Sequence, residues 1–136
     1  MPAIHKIDND LKIITTIWSG EVVDGELIDA LSKYHQDIRK SSPSYCFFNE
    51  ILDLSTAGDI NLSSKGIRIL VEKSVTMDVQ GVKTKLAIIV STPIAYGLGR
   101  MYSIYRGLAS NSYKEVCVFK NYHDALEWII HTGACK

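Results

Sequence analysis

The sequence predicts an α/β domain in which a mixed, mostly parallel five-stranded sheet is covered by about four helices. Strand-like and amphipathic helical segments alternate along the chain, which is typical of a parallel sheet. Residues 85–91 contain the apolar run LAIIV, which has the length and β-branched content of a central strand. Two β-branched segments near the N-terminus flank Asn9-Asp10, which predicts a hairpin and therefore one antiparallel edge strand.

The first half of the predicted order, β-β-α-β-α-β-α-β-α, depends on turn and capping residues. The hairpin covers residues 4–8 and 11–19, and Asp24 is expected to cap the first helix. A third strand follows over residues 45–54, and a loop follows over residues 55–61. The inward side of the second helix is expected to carry Ile67, Leu70, Val71 and Val75.

The second half begins at the central strand and leads into the third helix through Thr92-Pro93. Threonine is a good cap and proline is favoured at the first helical position. The buried stripe of this helix is expected to be Ile94, Leu98, Met101, Tyr102, Tyr105 and Leu108. Residues 115–119 form the fifth predicted strand, and Asn121 is expected to cap the last helix. We therefore expect a single domain over residues 1–136.

Composition excludes several classes of function. Lysine plus arginine and aspartate plus glutamate number 15 each, so the net charge of zero argues against a nucleic-acid partner. No apolar run reaches the length of a transmembrane segment, and the N-terminus does not resemble a signal peptide. Cys46, Cys117 and Cys135 form no CxxC pair, so we expect three free thiols and a cytoplasmic location.

Three blocks of sequence resemble the STAS fold, in particular the SpoIIAA-like group of small bacterial proteins. The blocks are ILDLSTAGDINLSSKGIRIL, KLAIIVSTPIAYGLGRMYSIY and VCVFKNYHDALEWI. In anti-sigma-factor antagonists of this fold, a serine that follows a strand and a short junction is phosphorylated, and it aligns with Ser63. Leu62 and Lys65 stand where that junction has aspartate and glycine. The fold is also related to the lipid-binding lobe of CRAL-TRIO proteins.

Ser63 and Ser64 are therefore candidate phosphoacceptors, or one of them is simply a helix cap. A phosphate at the start of the second helix would face unsatisfied N–H groups and the positive end of the helix dipole. A capping serine contributes about 1 kcal/mol without any regulatory role.

The outer face of the second helix is a candidate surface for a protein partner or for an anionic membrane. Helical geometry directs Ile69 away from the Leu70–Val71 side, so we expect it to be exposed. The basic residues of this candidate surface are Lys65, Arg68 and Lys73. An exposed isoleucine among basic side chains favours such contacts.

A third group of residues is a candidate ligand site or subunit interface. Gly97 and Gly99 lie inside a predicted helix, where glycine is unfavourable unless close packing compensates for it. Tyr96 and Arg100 are their neighbours. Asp53 and Thr92 lie near the carboxyl ends of two predicted parallel strands, at the sheet edge that ligands favour.

No catalytic constellation, metal-ligand spacing or cofactor motif is visible, so we expect a protein that is not an enzyme and binds no cofactor. The leading hypothesis is a regulatory or protein-interaction domain that contacts an unknown protein partner through residues 63–73. The alternative is a binding protein for a small apolar or lipid-like ligand held between the second and third helices, with peripheral association with a membrane surface as one form of this hypothesis. The glycine-bearing third helix also suggests a homodimer.

Overall fold

The computed structural model describes residues 3–40, 42–131 and 135, without the side chain of residue 39. The chain runs through β1 (Ala3–Asp8), β2 (Ile13–Trp18), β3 (Gly20–Val23), α1 (Asp24–Tyr34), β4 (Asn49–Asp53), β5 (Ala57–Asn61), α2 (Ser64–Val75), β6 (Thr84–Ile89), α3 (Pro93–Leu108), β7 (Lys114–Phe119) and α4 (Tyr122–Ile130). A π-helical turn follows α1 at His35–Arg39, and a 3-10 helix covers Pro43–Phe47.

The main sheet has the strand order β1-β2-β4-β6-β7. The hairpin strands β1 and β2 are antiparallel, and every other neighbouring pair in this sheet is parallel. The hairpin turn is ordered by Asp8, whose Oδ1 accepts hydrogen bonds from the N–H groups of Asp10 and Leu11. The predicted mixed five-stranded sheet is thus confirmed.

The structure corrects two predictions about the strands. Residues 57–61, predicted as loop, form β5 and pair in parallel with β3 as a separate two-stranded sheet. This pairing places Val22, which is fully buried, beside Ile60, a contact that local propensity does not reveal. The third predicted strand begins at Asn49 rather than at residue 45, because Pro43 opens a 3-10 helix and β2 offers its first pairing position only at Ile13.

Ser63, Thr92 and Asn121 cap α2, α3 and α4 with their side chains, as predicted. Asp24 does not cap α1, because it is the first residue of that helix and Val23 holds the cap position. The predicted stripe of α3 is wrong at Ile94 and Leu108, which are 71% and 77% exposed. The buried stripe consists of Ala95, Gly99, Tyr102 and Arg106. It has the same helical spacing but is shifted by one residue.

The two faces of the main sheet are covered differently. One face carries α1, α2 and α3 and is called the three-helix face; its core includes Trp18, Ile67, Val71, Leu86, Ile88 and Val118. The other face carries α4 and is called the α4 face; its core includes Ile13, Ile51, Ala87, Ile89, Trp128 and Ile129.

The prediction of three free thiols is wrong. Cys117 and Cys135 form a disulfide, with their Cα atoms 5.5 Å apart. Cys117 is buried in β7 beneath α4, and the bridge ties residue 135 to the core of the α4 face. Cys46 remains a free cysteine, but it lies in the 3-10 helix and not in a strand.

Candidate functional site: an apolar cavity with a polar edge

A cavity of about 140 Å³ lies between the main sheet and the helices of the three-helix face. Its apolar lining comes from both the sheet and the helices. This lining includes Leu27, Leu31, Leu52, Leu62, Ile67, Leu70, Ile88 and Leu98. α1, α2 and α3 all contribute to this lining, so the cavity reaches beyond the predicted space between the second and third helices. Apolar surroundings of this kind suit a ligand that is itself largely apolar.

Four of the polar side chains that line the cavity cluster toward the β1 edge of the sheet: His5, Thr16, Tyr34 and Glu50. His5 pairs directly with Thr16 across the hairpin, and the His5 Nδ1 and Thr16 Oγ1 atoms are 2.7 Å apart. Thr16 pairs in turn with Leu52, two residues beyond Glu50, so strand alternation places Glu50 on the same sheet face. The ring of Tyr34 lies 5.1 Å from the ring of His5.

The charges at this polar edge are compensated within the protein. Glu50 Oε1 accepts a hydrogen bond of 3.1 Å from Lys114 Nζ, and both side chains are largely buried. Burial lowers the pKa of His5 below its ordinary value of 6.5, although attraction to Asp37 and Glu50 partly opposes this effect. The imidazole of His5 is therefore neutral at pH 7.

A buried polar network joins the ends of α2 and α3 and reaches the cavity through Tyr102. The Arg106 guanidinium donates two hydrogen bonds to the Asp78 carboxylate, of 2.6 and 3.0 Å. Arg106 also donates through Nε to the hydroxyl of Tyr102, which donates to Ser74 Oγ of α2. Asp78 accepts a further bond from the Tyr113 N–H, just before β7. The network thus links α2, α3 and β7.

Burial lowers the pKa of Arg106, but the hydrogen bond to Asp78 and the nearby charges raise it by more, so the net direction is upward. The side chains of Arg106 and Asp78 are only 2% and 3% exposed. A bidentate pair that is this well buried keeps its charge and holds a fixed geometry.

The start of α2 is held by a second and more exposed set of hydrogen bonds. Ser63 donates through its backbone N–H and its hydroxyl to the carboxylate of Asp24, at 3.1 and 2.7 Å. The same hydroxyl accepts a bond from the Gly66 N–H. Asp24 therefore connects the beginning of α1 to the beginning of α2, beside Leu62 of the cavity wall.

The candidate partner surface is basic, but it lacks the exposed isoleucine that was predicted. Lys65, Arg68 and Lys73 are exposed, and the Arg68 guanidinium lies 5.7 Å from the centre of the Tyr105 ring. The prediction for Ile69 is wrong, because its side chain is half-buried.

The candidate ligand or interface residues do not form one cluster. Gly99 lines the cavity, where a Cβ would lie 3.1 Å from Val118 Cγ2, so this glycine allows close packing of α3 on β7. Gly97 and Arg100 are exposed, and the centre of the Tyr96 ring lies 5.7 Å from Lys120 Nζ. The homodimer hypothesis stays a prediction; α3 also carries the exposed apolar side chains of Ile94, Ile104 and Leu108.

Asp53 and Thr92 serve local structure, although both lie near the carboxyl ends of strands. The Asp53 carboxylate accepts bonds from the N–H and hydroxyl of Ser55. Thr92 caps α3 and also borders a second cleft of about 340 Å³, which Asp53 does not line. Glu21 and Asp59 line the same cleft, and their carboxylates disfavour an anion at the start of α3.

Sequence reasoning missed the polar edge of the cavity, although one signal for it was present. In β1 the residues Ala3, His5 and Ile7 alternate with Ile4, Lys6 and Asp8, and the first set is the less exposed one. Strand periodicity therefore places His5 on the covered face of the sheet. No comparable signal pairs Arg106 with Asp78 or Ser63 with Asp24, because these partners are 28 and 39 residues apart.

Among known proteins, no family model and no curated protein matches the sequence. The structure is similar to the crystal structure of an uncharacterized DUF3478-family protein from Shewanella loihica PV-4, described as having a SpoIIAA-like fold. The TM-score is 0.59 at 13% identity, over 93% of this chain and 91% of that one. The chain has a SpoIIAA-like fold. This confirms the predicted fold, and a likeness at this level of identity concerns the fold alone.

In this SpoIIAA-like domain, no helix within the described residues is long and apolar enough to cross a membrane. Nor do three or more side chains of the usual metal-binding types converge anywhere in that part of the chain.

Proposed function

We propose that this protein binds a small, largely apolar molecule in the cavity of the three-helix face and acts as a binding protein rather than as an enzyme. The observation that carries the proposal is the cavity itself, about 140 Å³ in volume and lined mainly by leucine and isoleucine. Protein interiors are normally close-packed, with few voids larger than a water molecule. An apolar space of this size lowers stability unless something fills it.

The volume limits the size of the ligand. An engineered apolar cavity of about 150 Å³ in another protein binds benzene, which sets the scale at about six to eight non-hydrogen atoms. A longer lipid-like molecule would require the helices to move apart. Toluene is therefore a suitable first probe.

The experiment measures toluene binding by NMR titration of the freshly purified protein, after native mass spectrometry for a retained ligand. Ala30 lines the cavity from α1, so Ala30→Leu should fill part of the space and weaken toluene binding at least tenfold. Ser32 is exposed on the same helix, and Ser32→Leu is the matched control that should leave binding unchanged. If wild-type protein neither retains a ligand nor binds toluene, the proposal is wrong.

A regulatory role for the surface at residues 63–73 is the second candidate, and the hydroxyl contact between Ser63 and Asp24 favours it. A phosphate on Ser63 would stand against the Asp24 carboxylate, so like-charge repulsion would release the start of α2 from α1. Exposed Lys65 and Arg68 would be available to a partner. Mass spectrometry of protein from its native cells tests this role; phosphate on neither Ser63 nor Ser64 would count against it.

Contact with a membrane surface and a cytoplasmic location also remain proposals. With Ile69 half-buried, the membrane hypothesis depends on the basic side chains, and loss of liposome binding in Lys65→Glu would support it. Two of the three cysteines are paired, so free thiols no longer argue for the cytoplasm.

A further inference from the structure

The cavity is polar at one edge, and a purely apolar ligand would leave that edge unused. Across the sheet, β1 and β6 are separated by three strand spacings of about 4.8 Å each. His5 and Thr16 lie at the β1 side, whereas Leu98 of α3 lies at the other. The two sides of the cavity therefore offer different chemistry to the two ends of a ligand.

We propose that the ligand is an uncharged hydroxyl compound, such as a small phenol or alcohol, whose hydroxyl group lies at the edge formed by His5, Thr16, Tyr34 and Glu50. This inference rests on the proposed function and specifies the class of ligand for the same cavity. The apolar part of the molecule then lies against the leucine and isoleucine side chains under α2 and α3.

The arrangement of donors and acceptors favours a hydroxyl head. A hydroxyl group can donate one hydrogen bond and accept two, so it can use a hydroxyl, an imidazole nitrogen or a carboxylate oxygen as a partner. The contact of His5 Nδ1 with Thr16 orients the ring, and Nε2 is the ring nitrogen outside this contact. The Tyr34 ring, 5.1 Å away, packs beside the imidazole and limits its movement.

Charge disfavours an ionised head. The negative charge of Glu50 is already paired with Lys114 at 3.1 Å, so a ligand ammonium would have to compete with that lysine. A ligand carboxylate would lie beside Glu50 without a cation of its own. Burying an unpaired ion costs far more than burying a hydroxyl that forms hydrogen bonds.

Three probes that share a methylbenzene frame test the inference: toluene, p-cresol and, as the larger and ionised comparison, p-toluate at neutral pH, each titrated by NMR. We expect p-cresol to bind about fivefold more tightly than toluene, as one added hydrogen bond allows. We expect p-toluate to bind more weakly than either. His5→Leu should bring the ratio of p-cresol to toluene affinity close to one while toluene binding persists.

Lys6→Leu is the matched control, since Lys6 is exposed on the opposite face of the same strand. This variant should keep the preference for p-cresol over toluene. Thr16→Val replaces the hydroxyl with a methyl group and so removes a hydrogen-bonding group, and it should also reduce the preference. This variant serves as the test if His5→Leu does not fold. Equal affinity of wild-type protein for toluene and p-cresol, or preference for p-toluate, overturns the hydroxyl inference and leaves the proposed function standing. Binding of no probe overturns both.

Discussion

Different interactions hold the helices in place on the two faces of the main sheet. The α4 face is a packed apolar layer, closed by the Cys117–Cys135 disulfide and by Lys85, whose Nζ donates to the carbonyls of Trp128 and His131 at the end of α4. The three-helix face contains the cavity, and pairs of polar side chains hold its helices together: Arg106 with Asp78 at one end of α2, and Ser63 with Asp24 at the other.

This difference suggests why a cavity can persist on one face. Apolar contact is non-directional, and helices that depend on it alone would tend to close an empty space. Hydrogen bonds at fixed distances position α2 and α3 at their ends without filling the middle. The polar pairs would then keep the cavity open, and the predictions below test that division of roles.

The largest effect is expected from Asp78→Ala, which leaves the Arg106 charge buried without its bidentate partner. Breaking a buried pair in this way costs about 3–5 kcal/mol in the free energy of unfolding. Urea denaturation measures the change, and Asp29→Ala, at an exposed position of α1, is the control with an expected change under about 0.5 kcal/mol. A loss below about 1 kcal/mol for Asp78→Ala would mean that the network does not fasten the three-helix face.

Cys135→Ser should have the next largest effect, on the α4 face. The disulfide closes a loop with a sequence separation of 18, for which the chain-entropy estimate is about 3 kcal/mol. We expect Cys135→Ser to lower the free energy of unfolding by about this amount. Toluene binding should be unchanged, because the bridge lies across the sheet from the cavity. Cys46→Ser is the control, since Cys46 is not bridged. Weakened toluene binding in Cys135→Ser would contradict the independence of the two faces.

The sequence predicts the main sheet better than the contacts between distant residues on its two faces. The order of elements, the hairpin, the caps of α2, α3 and α4 and the central strand follow from local patterns, so a mixed main sheet was predictable from Asn9-Asp10, LAIIV and Thr92-Pro93. The pairing of β3 with β5, the disulfide and the buried Arg106 depend on contacts between distant residues. Local propensity carries no information about such contacts.

Gly66→Ala tests the exposed fastening at the start of α2. Alanine normally stabilises a helix by up to about 1 kcal/mol relative to glycine. At this position, however, its Cβ would collide with the Asp24 carboxylate, which would have to turn away from Ser63. We expect Gly66→Ala to destabilise wild-type protein by about 1 kcal/mol, the usual contribution of a cap.

The sign should reverse in the Asp24→Ala background, where no carboxylate opposes the new methyl group and Gly66→Ala should stabilise. A double-mutant cycle by urea denaturation measures the coupling, expected at about 1–2 kcal/mol. Additive effects of the two substitutions would mean that Asp24 does not hold α2.

The smallest effect concerns His5 at the polar edge of the cavity and depends on pH. Because burial lowers the pKa of His5, the folded protein keeps the imidazole neutral while the unfolded chain takes up a proton below pH 6.5. Stability should therefore be constant above about pH 7 and fall as the pH decreases from 6.5, by at most about 1.4 kcal/mol per pH unit from this residue.

His5→Gln should show a smaller decrease between pH 7.5 and pH 5.5 when urea midpoints are compared. His35, His123 and His131 are present in both proteins, so the difference between the two pH profiles isolates His5. Parallel profiles would mean that the pKa of His5 is the same in the folded and the unfolded protein. Attraction to Asp37 and Glu50 would then fully offset the effect of burial, and the imidazole at the polar edge would take up a proton as readily as in the unfolded chain.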